Sequence, residues 1–303
     1  MRKFAGTFFA SFLLAIVALA LAPGLHAQQI PAAITSDPAL DESNPASMKT
    51  MQLPSHGALL NAIVYVAAGA GPHPVVILLH GFPGNEKNLD LAQAIRRAGW
   101  DVLYFDYRGS WGSPGDFSFT HCIEDTQAAI AYVRDPINAK QLRADSARIV
   151  LIGHSMGGFM AEFAGAQDAK IAAVGMISAA NLGGLDMWAS ETGHDATVKY
   201  IAASLKAEGM APLAGCTPES LAQEVEANYA QWNFVGTAAK LASRPVLVVT
   251  SDDGLAATNK SFVEALKKSG STKVTAVHMA TDHSYSDHRI ALETAVLAWL
   301  AGM

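Results

Sequence analysis

The residues most able to do chemistry lie in Gly153-His154-Ser155-Met156-Gly157-Gly158. The apolar run Arg148–Ile152 leads straight into this segment and a helical pattern follows it, so the serine falls on a sharp strand-to-helix turn. Such a turn pushes the hydroxyl out above the sheet. It also brings strand and helix so close that side chains at positions 153 and 157 would collide, which makes glycine a steric requirement at both. A serine hydroxyl is a weak nucleophile at neutral pH. It needs a base, normally a histidine, and a carboxylate that orients the base.

The surrounding elements alternate. Strand signals, apolar and rich in β-branched residues, occur at 58–66, 75–79, 102–107, 149–152, 171–177, 245–250 and 273–279. Helical spacing occupies 89–98, 123–133, 156–166, 259–268 and 287–300. This rhythm predicts an α/β fold with a mostly parallel sheet of about eight strands and helices on both faces. Residues 185–236 break the rhythm and read as an insertion of two or three helices between sheet strands.

On the Ser155 turn and its strand-turn-helix setting, residues 58–303 resemble the α/β-hydrolase family. The resemblance implies an oxyanion site made by two backbone N–H groups. One belongs to Met156, after the nucleophile. The other belongs to Phe82, because strand 75–79 ends in a similar His80-Gly81-Phe82-Pro83-Gly84 loop. It also implies the chain order serine, acid, histidine, with the last two on loops after late strands.

Ser251-Asp252-Asp253-Gly254-Leu255 and Ala280-Thr281-Asp282-His283-Ser284 occupy those places. Alignment on Gly254-Leu255-Ala256 favours Asp253 as the acid and leaves Asp252 as the alternative. His283 lies in its loop, whereas His288 reads as about one turn into the last helix, so His283 is the expected base. His154 reads as packing beside the nucleophile. Asp106 and Arg108, in Phe105-Asp106-Tyr107-Arg108-Gly109-Ser110, read as structural ties, and the Trp111–Gly115 loop is placed to wall an acyl pocket. The insertion is expected to cap the site, with Trp188, Tyr229, Trp232 and Phe234 as candidate linings.

These residues imply acyl transfer to water at a carboxylic ester, with no cofactor and no metal. The Gly153–Phe159 run and the Asp-Asp loop are also similar to prolyl-oligopeptidase-type peptidases, so an exopeptidase or amidase acting on short peptides is the alternative. A non-catalytic binding protein of this fold is a third reading. Serine at 155 argues against dehalogenation through a carboxylate nucleophile.

Composition agrees with a globular enzyme, since half of the 303 residues are hydrophobic and only 16% are charged. The formal charge is −6 and no basic run occurs, so no nucleic-acid partner is expected. Arg2 and Lys3, the uncharged stretch 4–22 and a small residue at Ala27 have the features of a secretory signal, with cleavage after Ala27. The expected organisation is a signal over 1–27, a mobile lead-in over 28–47 and a hydrolase domain over 48–303. The mature protein is then expected to be periplasmic or secreted, without membrane attachment. Cys122 and Cys216 are expected near each other at the top of the sheet, as a candidate disulfide between core and cap.

Overall fold

In the computed structural model the described residues are 30–184 and 193–303. The expected signal segment and Trp188 lie outside them. From Pro31 onward the chain forms one compact unit.

The strands are β1 (Ser47–Ser55), β2 (Ala58–Val66), β3 (His73–Leu79), β4 (Asp101–Phe105), β5 (Ala144–His154), β6 (Ala173–Ile177), β7 (Val246–Thr250) and β8 (Val274–His278). The helices are α1 (Ala32–Thr35), α2 (Leu89–Arg97), α3 (Phe119–Arg134), α4 (Pro136–Leu142), α5 (Met156–Gln167), α6 (His194–Ala207), α7 (Pro218–Asn228), α8 (Phe234–Thr237), α9 (Ala256–Lys268) and α10 (Arg289–Leu300).

The sheet order is β1-β2-β4-β3-β5-β6-β7-β8. Strands β4 to β8 and β3 run parallel, and β1 and β2 form an antiparallel hairpin at one edge. Strands β4 and β6 are buried along their whole length, as parallel strands covered on both faces must be. Side chains alternate between two cores. Val75, Ile77 and Leu79 pack with α3, α5 and α9. Val76 and Leu78 pack on the other face with α2 and α10.

β3 sits between β4 and β5, so the chain leaves β3 toward one edge and later continues from β5 toward the other. The loops after β3 and β5 therefore diverge at this point, and open α/β sheets form their binding crevices there. The His80 loop and the Ser155 turn are those two loops.

Two features go beyond the expectations, and one expectation needs correction. The strand β1 was not anticipated, because Ser47–Ser55 is polar, contains Pro54 and buries only Leu53 and Ser55. An edge strand tolerates this, since proline need not donate to a neighbour there. Part of the lead-in packs on the domain. Ala33 and Ile34 of α1 pack on the α2 and α10 face, and Arg143 donates to the Pro45 carbonyl at 3.1 Å. Cys122 and Cys216 are free thiols, with Cys122 fully buried on α3.

The described part of the insertion, residues 193–236, folds as helices between β6 and β7 and is sewn to the core. Ala214 donates to Gly109 at 2.8 Å, while Trp111 and Phe117 donate to Pro212 and Ala214 at 3.0 and 2.9 Å. Glu224 of α7 accepts from the Phe119 and Thr120 amides at 2.9 and 2.8 Å. Those amides open α3, where a carboxylate is stabilised by the helix end. Trp232 and Phe234 are packed as core rather than left open, against Phe119 and Phe159 in the first case and Phe262 in the second.

Candidate active site

Ser155 sits between β5 and α5 at φ 57°, ψ −121°, a conformation that an L-residue holds only under external constraint. The constraint is visible. Its N–H donates to Ile177 of β6 at 2.9 Å, and its carbonyl accepts from Ala180 at 3.0 Å. A Cβ on Gly153 would lie 1.9 Å from the Gly157 carbonyl oxygen, and one on Gly157 would lie 2.1 Å from that of Leu79. Both glycines are sterically obligatory.

The loop after β3 passes directly over the serine, since a Cβ on Gly81 would stand 2.9 Å from Ser155 Cβ and 3.5 Å from its Oγ. His80 anchors this loop. Its Nδ1–H donates to the Gly81 carbonyl at 2.7 Å, and burial pushes the ring pKa down to about 4, so it stays neutral. Trp111 donates its indole N–H to Pro83 at 2.8 Å, so the residue expected to wall a pocket supports the loop itself. Met156 is the first residue of α5, where a helix amide has no intrahelical acceptor. Among the described residues, no backbone carbonyl accepts from the Phe82 N–H. Among the described residues, neither the Phe82 N–H nor the Met156 N–H is thus taken by a backbone carbonyl.

Asp253, after β7, and His283, after β8, meet at 2.7 Å between Oδ2 and Nδ1. The Asp253 side chain is nearly buried, and hydrogen bonds from His283, Ser178, Leu255 and Ser251 outweigh its desolvation and hold its carboxyl well below the usual range. An ionised carboxylate only accepts, so His283 carries its proton on Nδ1. The Nε2 lone pair is therefore available as a base. Among the described residues the Ser155 hydroxyl has no hydrogen bond; such bonds are often loose before substrate binds.

Asp252 turns away. It lies 3.2 Å from His278 at the exposed sheet edge, and its amide donates to Thr281, tying the acid loop to the histidine loop. His288 is not inside the last helix but caps it, bonded to Asp287 at 2.8 Å.

His154 has more to do than packing. Its Nε2–H donates to the His283 carbonyl at 2.8 Å, and the two rings lie 4.6 Å apart. Burial, with the His283 charge as a lesser cause, pushes its pKa down to about 3, so it is a neutral neighbour. Arg289 donates to Ser284 at 3.0 Å and pairs with Asp90, which clamps the histidine loop from its other side. Neither His154 nor Arg289 has a sequence pattern that announces these contacts, because the partners are backbone carbonyls, that of His154 lying 129 residues away.

Asp106 and Arg108 are structural ties, as expected, but to side chains. Asp106 accepts from Tyr104 at 2.7 Å and from Lys87 at 2.9 Å. Arg108 donates from Nε to Asp125 at 2.7 Å and also binds Glu124.

The sequence model of the Alpha/beta hydrolase family matches residues 76–294. The chain belongs to the α/β-hydrolase family. The match takes in Phe82, Ser155, Met156, Asp253 and His283. Among solved structures, an esterase from the archaeon Pyrobaculum calidifontis superimposes with a TM-score of 0.64 at 21% identity, covering 86% of this chain and 87% of that one. At that identity the likeness is one of hydrolase fold. In sequence, an uncharacterised protein of Mycobacterium tuberculosis is 30% identical over 118 residues, 39% of this chain and 40% of that protein. An sn-1-specific diacylglycerol lipase of Xenopus tropicalis is 35% identical over 105 residues, 34% of this chain and 30% of its own length. The chain thus spans less than half the length of these curated relatives.

Proposed function

We propose that this α/β hydrolase is a serine esterase cleaving carboxylic esters through an acyl-enzyme. The observation that carries the proposal is the Asp253–His283 hydrogen bond, which leaves Nε2 of His283 as the free base in the loop that His154 ties to the nucleophile turn.

In this mechanism His283 takes the Ser155 proton as Oγ attacks the ester carbonyl. The Phe82 and Met156 N–H groups hold the oxyanion, a contribution of about 10²–10³ in rate per donor. The tetrahedral intermediate collapses as His283 Nε2 returns the proton to the leaving alkoxide. Water, deprotonated by the same nitrogen, then releases the acid. The lipase of similar sequence favours an ester over a peptide.

The test is hydrolysis of a p-nitrophenyl ester series beside aminoacyl-anilides, by intact protein and Ser155→Ala. The proposal expects ester turnover with a pre-steady-state burst, lost in the variant. Anilide cleavage without ester cleavage would make the protein a peptidase, and ester turnover surviving in Ser155→Ala would remove the serine mechanism. We further propose export by a cleaved signal, for which N-terminal sequencing of the mature protein should begin at Gln28.

A further inference from the structure

Among the described residues, no arginine or lysine is bonded to the Asp253 carboxylate. Apart from His283 and the Leu255 amide, what surrounds it is hydroxyl groups. Ser251 begins its own loop, Ser178 follows β6, and Tyr285 lies two residues beyond His283. All three are fully buried. Ser178 Oγ is 3.0 Å from Ser251 Oγ and 2.9 Å from the Tyr285 hydroxyl, and hydrogen bonding by these serines helps to hold the Asp253 carboxyl below the usual range. Ser178 and Tyr285 have φ of 42° and 57°, a region that side-chain-bearing residues rarely occupy. Strain of this kind persists where the surrounding structure over-determines it, and it clusters at functional sites.

We propose that Ser178, Ser251 and Tyr285 form a hydroxyl relay that positions Asp253, donating to its lone pairs so that the carboxylate presents one oxygen to His283. The inference rests on the reading of Asp253 and His283 as acid and base. Proton counting sets the direction. A carboxylate only accepts, and the three hydroxyls have one proton each, so Tyr285 and Ser251 donate to Ser178 and Ser178 donates to Asp253. Tyr285, whose pKa burial pushes up to about 12, keeps its proton and feeds the relay from behind.

The relay tempers the acid. Each donated hydrogen bond stabilises the Asp253 anion, so the carboxylate pulls less strongly on the imidazolium that forms during catalysis. Removing a donor makes Asp253 a stronger acceptor and retains the His283 proton to higher pH. It also frees the carboxylate to turn. The other charged or titratable groups facing this cluster are His154, which stays neutral, and Arg289, which is bound to Asp90.

The experiment compares Tyr285→Phe, which keeps the ring, with Ser178→Ala and Ser178→Gly. Both Ser178 variants lose the hydroxyl, but glycine also relieves the positive φ. The readouts are kcat and KM on a p-nitrophenyl ester across pH, and the His283 Cε1–H titration followed by NMR. We expect kcat to fall about tenfold in all three folded variants with KM little changed, as for loss of one hydrogen bond to a charged group. The acid limb of the rate profile and the His283 midpoint should move to higher pH together, by about half a unit. Unchanged kcat and an unmoved titration in folded Tyr285→Phe and Ser178→Ala would overturn the relay. So would full activity in Ser178→Gly, which would assign the effect to backbone strain. Should the intact protein cleave no ester, the titration alone still decides the relay, separately from the proposed activity.

Discussion

Asp125 and Asp253 are both carboxylates hidden from solvent near the top of the same sheet, and their surroundings differ in one respect. Asp125 accepts from the Arg108 amide at 2.8 Å, from Arg108 Nε at 2.7 Å and from Ser55 at 2.6 Å. Its charge is matched permanently by a guanidinium, and the pair fastens β1, the loop after β4 and α3 together. Asp253 is matched by hydroxyls, one amide and an imidazole, none of which carries a permanent charge. A carboxylate with a fixed cation is a strut. One held only by neutral donors retains charge that can stabilise a cation appearing during reaction.

Isosteric neutralisation should therefore separate the two. Asp253→Asn should lower kcat by about 10⁴-fold while the fold survives, because the amide favours the wrong histidine tautomer. Asp125→Asn takes the buried carboxylate from Arg108 and leaves it only the partly exposed Glu124, which should cost about 3 kcal/mol of stability, read by urea unfolding. Any loss of activity there should track loss of folded protein. Equal effects on both properties at both positions would erase the distinction. Asp252→Asn, on the outward-facing neighbour, should leave kcat within about twofold, since its partner is an exposed histidine.

A third buried carboxyl sharpens the comparison from the other side. Among the described residues no cation is bonded to Glu162 of α5, and burial raises its pKa from an ordinary 4.5 to about 8. Thr237 of α8 has one hydroxyl proton but two partners, Glu162 Oε1 at 2.5 Å and the Phe234 carbonyl at 2.9 Å. Both contacts are satisfied when Glu162 is protonated and donates to Thr237. The folded state then binds more protons than the unfolded chain between these pH values, so stability declines as pH rises from 4.5 to about 8. Glu162→Gln should flatten that part of the melting-temperature profile. A profile with the same slope in the variant would mean that Glu162 is ionised in the fold.

Much of this arrangement was legible in the sequence because local rules dictate it. Gly153 and Gly157 are required by the closeness of strand and helix at Ser155, and the apolar runs of β3 to β7 declare a sheet covered on both faces. The choice of Asp253 over Asp252 turned on a single position in a loop, and the structure separates their partners. What escaped had no local signature. β1 is stabilised by pairing at an edge rather than by its own apolar pattern. His154 and Arg289 act on backbone carbonyls, which any sequence supplies. Ser178 and Tyr285 come together across 107 residues through positive-φ turns at a serine and a tyrosine, residue types that do not advertise such turns.

The central claim is that Asp253 and His283 activate Ser155. It is tested most directly by labelling the purified protein with a fluorophosphonate and mapping the modified peptide. One adduct is expected, on Ser155, absent from Ser155→Ala and nearly abolished in His283→Ala. Folded protein that stays unlabelled, or that labels equally well in His283→Ala, would contradict it.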